Sequence, residues 1–407
     1  MYLPDTLKPS TTTTTTSTTT CEDGTTANSL SCGRFDFASD NCAGIIPEAL
    51  EWLIKCNKGF CSSYSTDRFT RTAKKLILKY LGTTEARAKV FLVTSGTAGN
   101  ALSLAHTCPS YGGIICHPSA HINTEEKAAP QFFAGGGKLH PTRLGKDGKI
   151  SLQALEEVMA VHSKPVIHYS RPKVLSVTQA SDTGEVYTRE ELFLLCKAAK
   201  RTGLRVHMDG ARFANAVASE MAAGRISDAS ELCWNLGVDD EDDGERVGVD
   251  VLVLGGAKNG LGCTEAVVFF DKELAKGFKA RLKQSGQLVS KTRTLSAFWI
   301  GAMEGDAFHR YAQHANNMAT YLYEELKRLR ESDPVVGEKV GLKPPPAANA
   351  IFVELDSTLL ASLKSKGWEF YTFAEYGGSS RLMCSWQTTK EGINELVSDI
   401  AFLAQRP

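Results

Sequence analysis

Two segments of the chain hold residues suited to covalent chemistry. Val251-Leu-Val-Leu-Gly-Gly-Ala-Lys258-Asn-Gly260 is an apolar run that stops at two glycines and delivers one lysine. Asp209 stands 49 positions before it, in His207-Met-Asp-Gly-Ala-Arg212, where another apolar stretch ends in an acid and a base. A primary amine can condense with a carbonyl, and a carboxylate can keep an aromatic nitrogen protonated. Those are the two protein groups that pyridoxal phosphate most needs. Both segments read as strand ends, where open α/β sheets place their ligand sites. Either one alone also describes an ordinary buried strand, so the surrounding motifs decide between the readings.

Thr94-Ser-Gly-Thr-Ala-Gly-Asn100 follows a β-branched run and opens a helix. Small residues let a backbone approach a phosphate, and the free N–H groups and dipole of a helix start stabilise its charge. Ser95 and Thr97 add hydroxyl donors around Gly96. His121 follows a short strand in Ser119-Ala-His-Ile-Asn-Thr-Glu125, with His117 just upstream. Arg381 lies in Gly377-Gly-Ser-Ser-Arg-Leu-Met-Cys-Ser-Trp386, and its planar fork suits a carboxylate.

Together, and in this order, these motifs resemble the threonine aldolase and β-eliminating lyase family. The resemblance runs from Phe35 to Leu403. It implies a pyridoxal-phosphate enzyme with the aspartate-aminotransferase-like fold (fold type I). That is a three-layer α/β domain on a mostly parallel sheet, with a smaller carboxy-terminal α+β domain. Lys258 is then the residue that joins the cofactor, and Asp209 sits opposite the pyridine nitrogen. Ser95, Gly96 and Thr97 form the phosphate cup. His121 stacks on the ring, while His117 is a bystander. Arg212 lies near the phenolic oxygen or the substrate carboxylate, which Arg381 and Ser39 bind. Tyr64, with Asp67 nearby, matches a segment that often reaches a neighbouring subunit's site. Lys283 serves the cofactor phosphate across an interface. The expected assembly is a homodimer or homotetramer.

The implied reaction is retro-aldol cleavage of a β-hydroxy-α-amino acid, with threonine giving glycine and acetaldehyde. His121, the cofactor phosphate or a bound water is the candidate base. Racemisation or β-elimination on the same scaffold is the first alternative, and a non-catalytic paralogue the second. The chain departs from the family in a threonine-rich start, an acidic loop, and Ala257 where a threonine or serine is more usual.

Composition excludes other classes. Lysine plus arginine and aspartate plus glutamate each number 46 in 407 residues, so the formal net charge is zero. That balance gives no electrostatic footprint for nucleic acid or an anionic membrane. No apolar stretch approaches the roughly 18–20 residues that span a bilayer. Eleven cysteines without a CxxC point to a reduced compartment, the cytoplasm, and to neither a disulfide framework nor a zinc site. Residues 11–20 are nine threonines and one serine. Such a stretch cannot bury a core, so residues 1–33 are expected to be disordered.

The elements that must position these residues follow from periodicity. Helices are expected at Pro47–Cys56, Thr70–Leu81, Ala98–Thr107 and Thr188–Thr202, with one long helical stretch over Ala297–Leu329. Strands are expected at Val90–Thr94, Gly113–Cys116, Lys173–Thr178, Leu204–Met208, Val249–Leu254 and Glu265–Phe270. This alternation predicts a mostly parallel sheet. A large cofactor domain over 34–296 would precede a connecting helix and small domain over 297–407, whose strands begin near Ala348. Asp239–Arg246 reads as a solvated insertion.

Overall fold

A computed structural model describes residues 34–143, 148–164, 166–239, 244–373 and 378–406. The expected disorder of the threonine-rich start lies outside them. Among the described residues, thirteen strands run in chain order. They are β1 Lys89–Val93, β2 Gly113–Cys116, β3 Lys138–Pro141, β4 Pro172–Thr178, β5 Arg205–Gly210, β6 Gly237–Asp239, β7 Glu245–Val247, β8 Val251–Leu254, β9 Glu265–Phe269, β10 Val340–Leu342, β11 Ala350–Leu355, β12 Tyr371–Phe373 and β13 Ser379–Met383.

Seven of them form one sheet in the order β1-β9-β8-β5-β4-β2-β3. From β8 through β3 all neighbours are parallel, whereas β9 runs antiparallel to both β1 and β8. Both faces of this sheet are covered, as near-continuous apolar strands require. In β8, Leu252 and Leu254 join one buried cluster, while Val251 and Val253 join another. Helix Arg189–Arg201 starts on a reciprocal cap: Thr188 accepts from the Glu191 N–H, and Glu191 accepts from the Thr188 N–H. Helix Pro47–Cys56 begins on the proline, as its sequence indicates.

The second sheet has the order β10-β11-β13-β12 and is antiparallel throughout. It packs with helices Ala307–Ser332 and Lys390–Ala404 around the buried Trp368. Its strands begin at Val340, ahead of the expected Ala348. The single helical stretch is two helices, Arg293–Met303 and Ala307–Ser332. The break falls at Gly305, whose φ of 75° is a left-handed conformation that glycine adopts without strain. The acidic segment reads as a solvated insertion in the sequence; its residues 240–243 lie outside the described residues, while its two flanks are strands. β6 and β7 pair across it, and Asp239, 4% exposed, accepts from Lys197 Nζ at 2.9 Å. A buried carboxylate needs such a partner, and Lys197, with Arg201 at 3.8 Å, supplies it from the helix Arg189–Arg201.

Candidate active site

β5 and β8 are neighbouring parallel strands, and their carboxy-terminal ends carry Asp209 and the turn to Lys258. This turn can pass only because Gly255 and Gly256 lack side chains. A Cβ there would meet the Ala211 carbonyl oxygen at 2.3 Å and the Thr264 carbonyl oxygen at 2.4 Å. Glu265 Oε2 accepts from the Gly256 and Ala257 N–H groups and so pins the turn from behind. Burial pushes the Glu265 carboxyl up to about 7, although those hydrogen bonds pull the other way. Burial also lowers Lys258 below its ordinary value, and the Arg212 charge adds to that. An amine that sheds its proton easily is the nucleophile that carbonyl chemistry requires.

A cavity of about 410 Å³ opens at these strand ends. Ser95, Gly96, Thr97, His121, Asp209, Arg212 and Lys258 all line it. Ser95 caps helix Gly96–Thr107, its hydroxyl accepting from the Ala98 N–H at 3.2 Å. The amides of Gly96 and Thr97 head that helix and have no partner within it. A Cβ on Gly96 would meet nothing within 4 Å, so the approach is open. Gly99 brings the helix down onto β8; a Cβ there would lie 2.5 Å from Val253 Cγ1.

Asp209 is buried at 4% exposure and accepts from the Asn100 Nδ2 at 2.8 Å and the Ala211 N–H at 3.0 Å. His121 Nδ1 lies 2.9 Å from Glu126 Oε1. That hydrogen bond raises the imidazole above its ordinary value, against its partial burial. The Glu126 carboxyl is itself raised, by burial first.

A second cavity of about 570 Å³ adjoins the first and shares Asn41, His121, Asp182, Arg212 and Lys258 with it. Ser39 and Arg381 line its far side. Arg381 projects from β13 between Tyr371 and Phe373, 5.8 and 5.2 Å from their ring centres. Its Nε is buried, with no partner among the described residues. Burial lowers this guanidinium to about 10, and the nearby Arg212 adds to the effect. A buried Nε left without an acceptor suits a bound anion.

Arg212 is in a different position. Asp40 holds it in a bidentate pair, at 2.7 Å to Nε and 3.0 Å to one terminal nitrogen. Burial alone would raise the Asp40 carboxyl, but the charges of Arg212 and Lys258 outweigh it and hold the group below its ordinary value. Asn349 Nδ2 donates to the same carboxylate at 3.1 Å, tying the small sheet to the strand end that carries Arg212.

Sequence reasoning passed over Asp40, Asn100, Glu126 and Asp182. Asp182 lines both cavities, and burial raises its carboxyl, helped by Asp209. Asp40 and Asn100 stand inside or beside segments already noted, but their partners Arg212 and Asp209 lie 172 and 109 positions away. The structure does not bring Tyr64 or Lys283 into either cavity. They meet each other instead, the Lys283 ammonium 4.8 Å from the Tyr64 ring centre, with Tyr64 41% exposed. Asp67 caps helix Arg68–Tyr80, accepting from the Thr70 N–H at 2.8 Å. No group of three or more His, Cys, Asp and Glu among the described residues could hold a metal.

The two cavities therefore offer what pyridoxal phosphate requires. An open helix start suits its phosphate, a carboxylate its ring nitrogen, an imidazole its ring face, and a lysine its aldehyde.

Comparison with known proteins agrees. The family model for β-eliminating lyases matches residues 36–340. The low-specificity L-threonine aldolase of Pseudomonas sp. (strain NCIMB 10558) is 39% identical over 364 residues, which cover 89% of this chain and 96% of that protein. Among solved structures, Leishmania major threonine aldolase superposes with a TM-score of 0.76 at 25% identity, over 90% of this chain and 99% of that one. Aspartate aminotransferase from Thermotoga maritima, at 13% identity, shares the fold with a TM-score of 0.62 over 89% of this chain and 90% of that one. The fold is thus the aspartate-aminotransferase-like one, and the chain belongs to the pyridoxal-phosphate-dependent β-eliminating lyase family.

Proposed function

We propose that the protein cleaves β-hydroxy-α-amino acids, L-threonine or L-allo-threonine above all, to glycine and an aldehyde. The observation that carries this reading is Arg381, a partly buried guanidinium whose Nε has no partner among the described residues, on the same cavity wall as Lys258. An amino acid supplies both missing groups, a carboxylate for the arginine and an amine that can displace the lysine. The 39% identity to a threonine aldolase favours aldol cleavage over other reactions of such substrates.

Each residue has a role in this reading. Lys258 would hold the cofactor through its aldehyde, where a substrate amine could displace it. Ser95, Gly96 and Thr97 hold the phosphate. Asp209 keeps the ring nitrogen protonated, and His121 packs on the ring. Arg381 and Ser39 orient the carboxylate. Bound pyridoxal phosphate supplies the electron sink for the pair released when the Cα–Cβ bond breaks. His121 and Asp182, on the wall shared by the two cavities, are candidates to take the β-hydroxyl proton, beside the cofactor phosphate or a bound water. Arg212 is already paired with Asp40 through two of its donors, so it acts as a fixed positive wall.

Tyr64 and Lys283, exposed and outside their own chain's cavities, support an assembly in which they complete a neighbour's site. We assign a homo-oligomer on that basis, with a dimer as its minimal unit. The nine described cysteines are all free, which supports a reducing compartment such as the cytoplasm. No described helix is long and apolar enough to cross a membrane.

The test is incubation of the holoprotein with L-threonine, following acetaldehyde and glycine together. Equimolar release of both is the expected result. Formation of D-threonine or of a keto acid without acetaldehyde would overturn the assignment.

A further inference from the structure

Asn100 sits in the first turns of helix Gly96–Thr107, buried at 2% exposure. Its Nδ2 donates to Asp209 Oδ2 at 2.8 Å and to Glu126 Oε1 at 2.9 Å. An amide nitrogen has two hydrogens, and here each meets a carboxylate. Glu126 Oε1 in turn lies 2.9 Å from His121 Nδ1. The four side chains form one line, Asp209–Asn100–Glu126–His121. Its two ends, Asp209 and His121, line the cavity that would hold the cofactor.

The orientation of this amide is dictated by its neighbours. Turned over, its oxygen would face two carboxylates. Asn100 Oδ1 and Glu126 Oε2 have no partners among the described residues, so the amide connects to nothing else there. Two acids that share one donor inside a buried site cannot act independently. A change of charge on one alters how strongly the amide can donate to the other.

We propose that Asn100 is a positioning residue that couples Asp209 to the Glu126–His121 pair, so that the two protein contacts on the cofactor ring are set together. This rests on the cofactor's seat between Asp209 and His121, and not on which substrate bond is cleaved.

The test is a double-mutant cycle read through cofactor binding. The dissociation constant of pyridoxal phosphate is measured by absorbance titration of the apoprotein. It is taken for the natural chain, for Asp209→Asn, for Glu126→Gln and for both changes together. The same four proteins are then made with Asn100→Ala. With asparagine in place, the double change should depart from the product of the single losses by roughly two- to a hundredfold, the span of coupled neighbours. With alanine, the losses should multiply. Asn100→Ala by itself should weaken the cofactor roughly ten- to a hundredfold, as expected for lost bonds to charged groups.

A purely structural asparagine would lower affinity without removing the non-additivity. Losses that already multiply in the natural chain, or coupling that survives unchanged in the alanine series, would overturn the proposal. Thermal unfolding of each apoprotein guards against misfolding, and Asn100→Leu, which keeps the shape without the donors, replaces alanine where needed. If neither variant folds, the cycle in the natural chain decides alone. A natural chain that develops no cofactor absorbance at all would refute the cofactor seat instead, which is a separate outcome.

Discussion

At the residue scale, the site rests on opposite charges held at unequal saturation. Arg212 has its carboxylate, and the Nε of Arg381 has no partner among the described residues. Arg381→Lys should therefore raise KM for threonine roughly ten- to a hundredfold and leave cofactor absorbance intact. The planar two-bond grip on a carboxylate is lost while the charge stays. Equal KM values in steady-state assays would remove Arg381 from the substrate site. Asp209→Asn keeps the shape but removes the charge that holds a ring nitrogen protonated. Turnover should fall by about 10²–10⁴, the range typical of a positioned proton-holding group. Near-normal turnover would make Asp209 a structural partner only. Lys258 and Asp209 were legible in the sequence because each ends an apolar run at a glycine-rich turn. Asp40 was not, although it stands beside Ser39. Its meaning comes from Arg212, 172 residues away, and no local pattern encodes that distance.

At the element scale, strand ends and helix starts do the positioning. Most were readable from periodicity; Pro47–Cys56 and Gly113–Cys116 have the boundaries that their sequences predict. What could not be read was how closely elements approach. Gly99 looks like one small residue among several in a phosphate turn, yet it also sets the contact of that helix with β8. The break at Gly305 was hidden because apolar spacing continues on both sides of it. Glu265 provides a test at this scale. It is a buried carboxyl raised to about 7. A group raised in the folded state stabilises the fold most below its unfolded value, near 4.3 by reference. That contribution is lost as pH rises through about 7, because the folded state binds more protons over the window. Glu265→Gln removes the titration while its amide oxygen still accepts from the Lys258 turn. Thermal unfolding of the variant should fall less between pH 5 and 8 than that of the natural chain. Identical slopes would place the titration of Glu265 outside this window.

At the scale of the whole molecule, the cavities lie between two sheets, and part of the expected site lies elsewhere. Asp40 joins Arg212 at the large sheet to Asn349 by the small one, so one carboxylate fixes how the two halves meet. Tyr64 and Lys283 face outward together, on chain segments joined by the Tyr64 N–H donating to the Ser290 carbonyl at 3.0 Å. Neither can serve the cavity of its own chain unless that segment is rebuilt. A symmetric partner needs no rebuilding, because a two-fold axis gives each chain the other's surface. Complementation separates the two cases. Lys258→Ala removes the amine from one chain, and Tyr64→Ala removes the ring from another. If sites are shared, a mixed dimer holds one pocket that has lost both residues and one that has kept both. Mixing two individually dead variants under conditions of proven subunit exchange should then restore activity. Random pairing makes half of the dimers mixed, each with one intact pocket, so recovery should approach about a quarter of the natural activity. No recovery would mean that each chain builds its site alone, and that the Tyr64–Lys283 pair is a surface contact with no part in the chemistry.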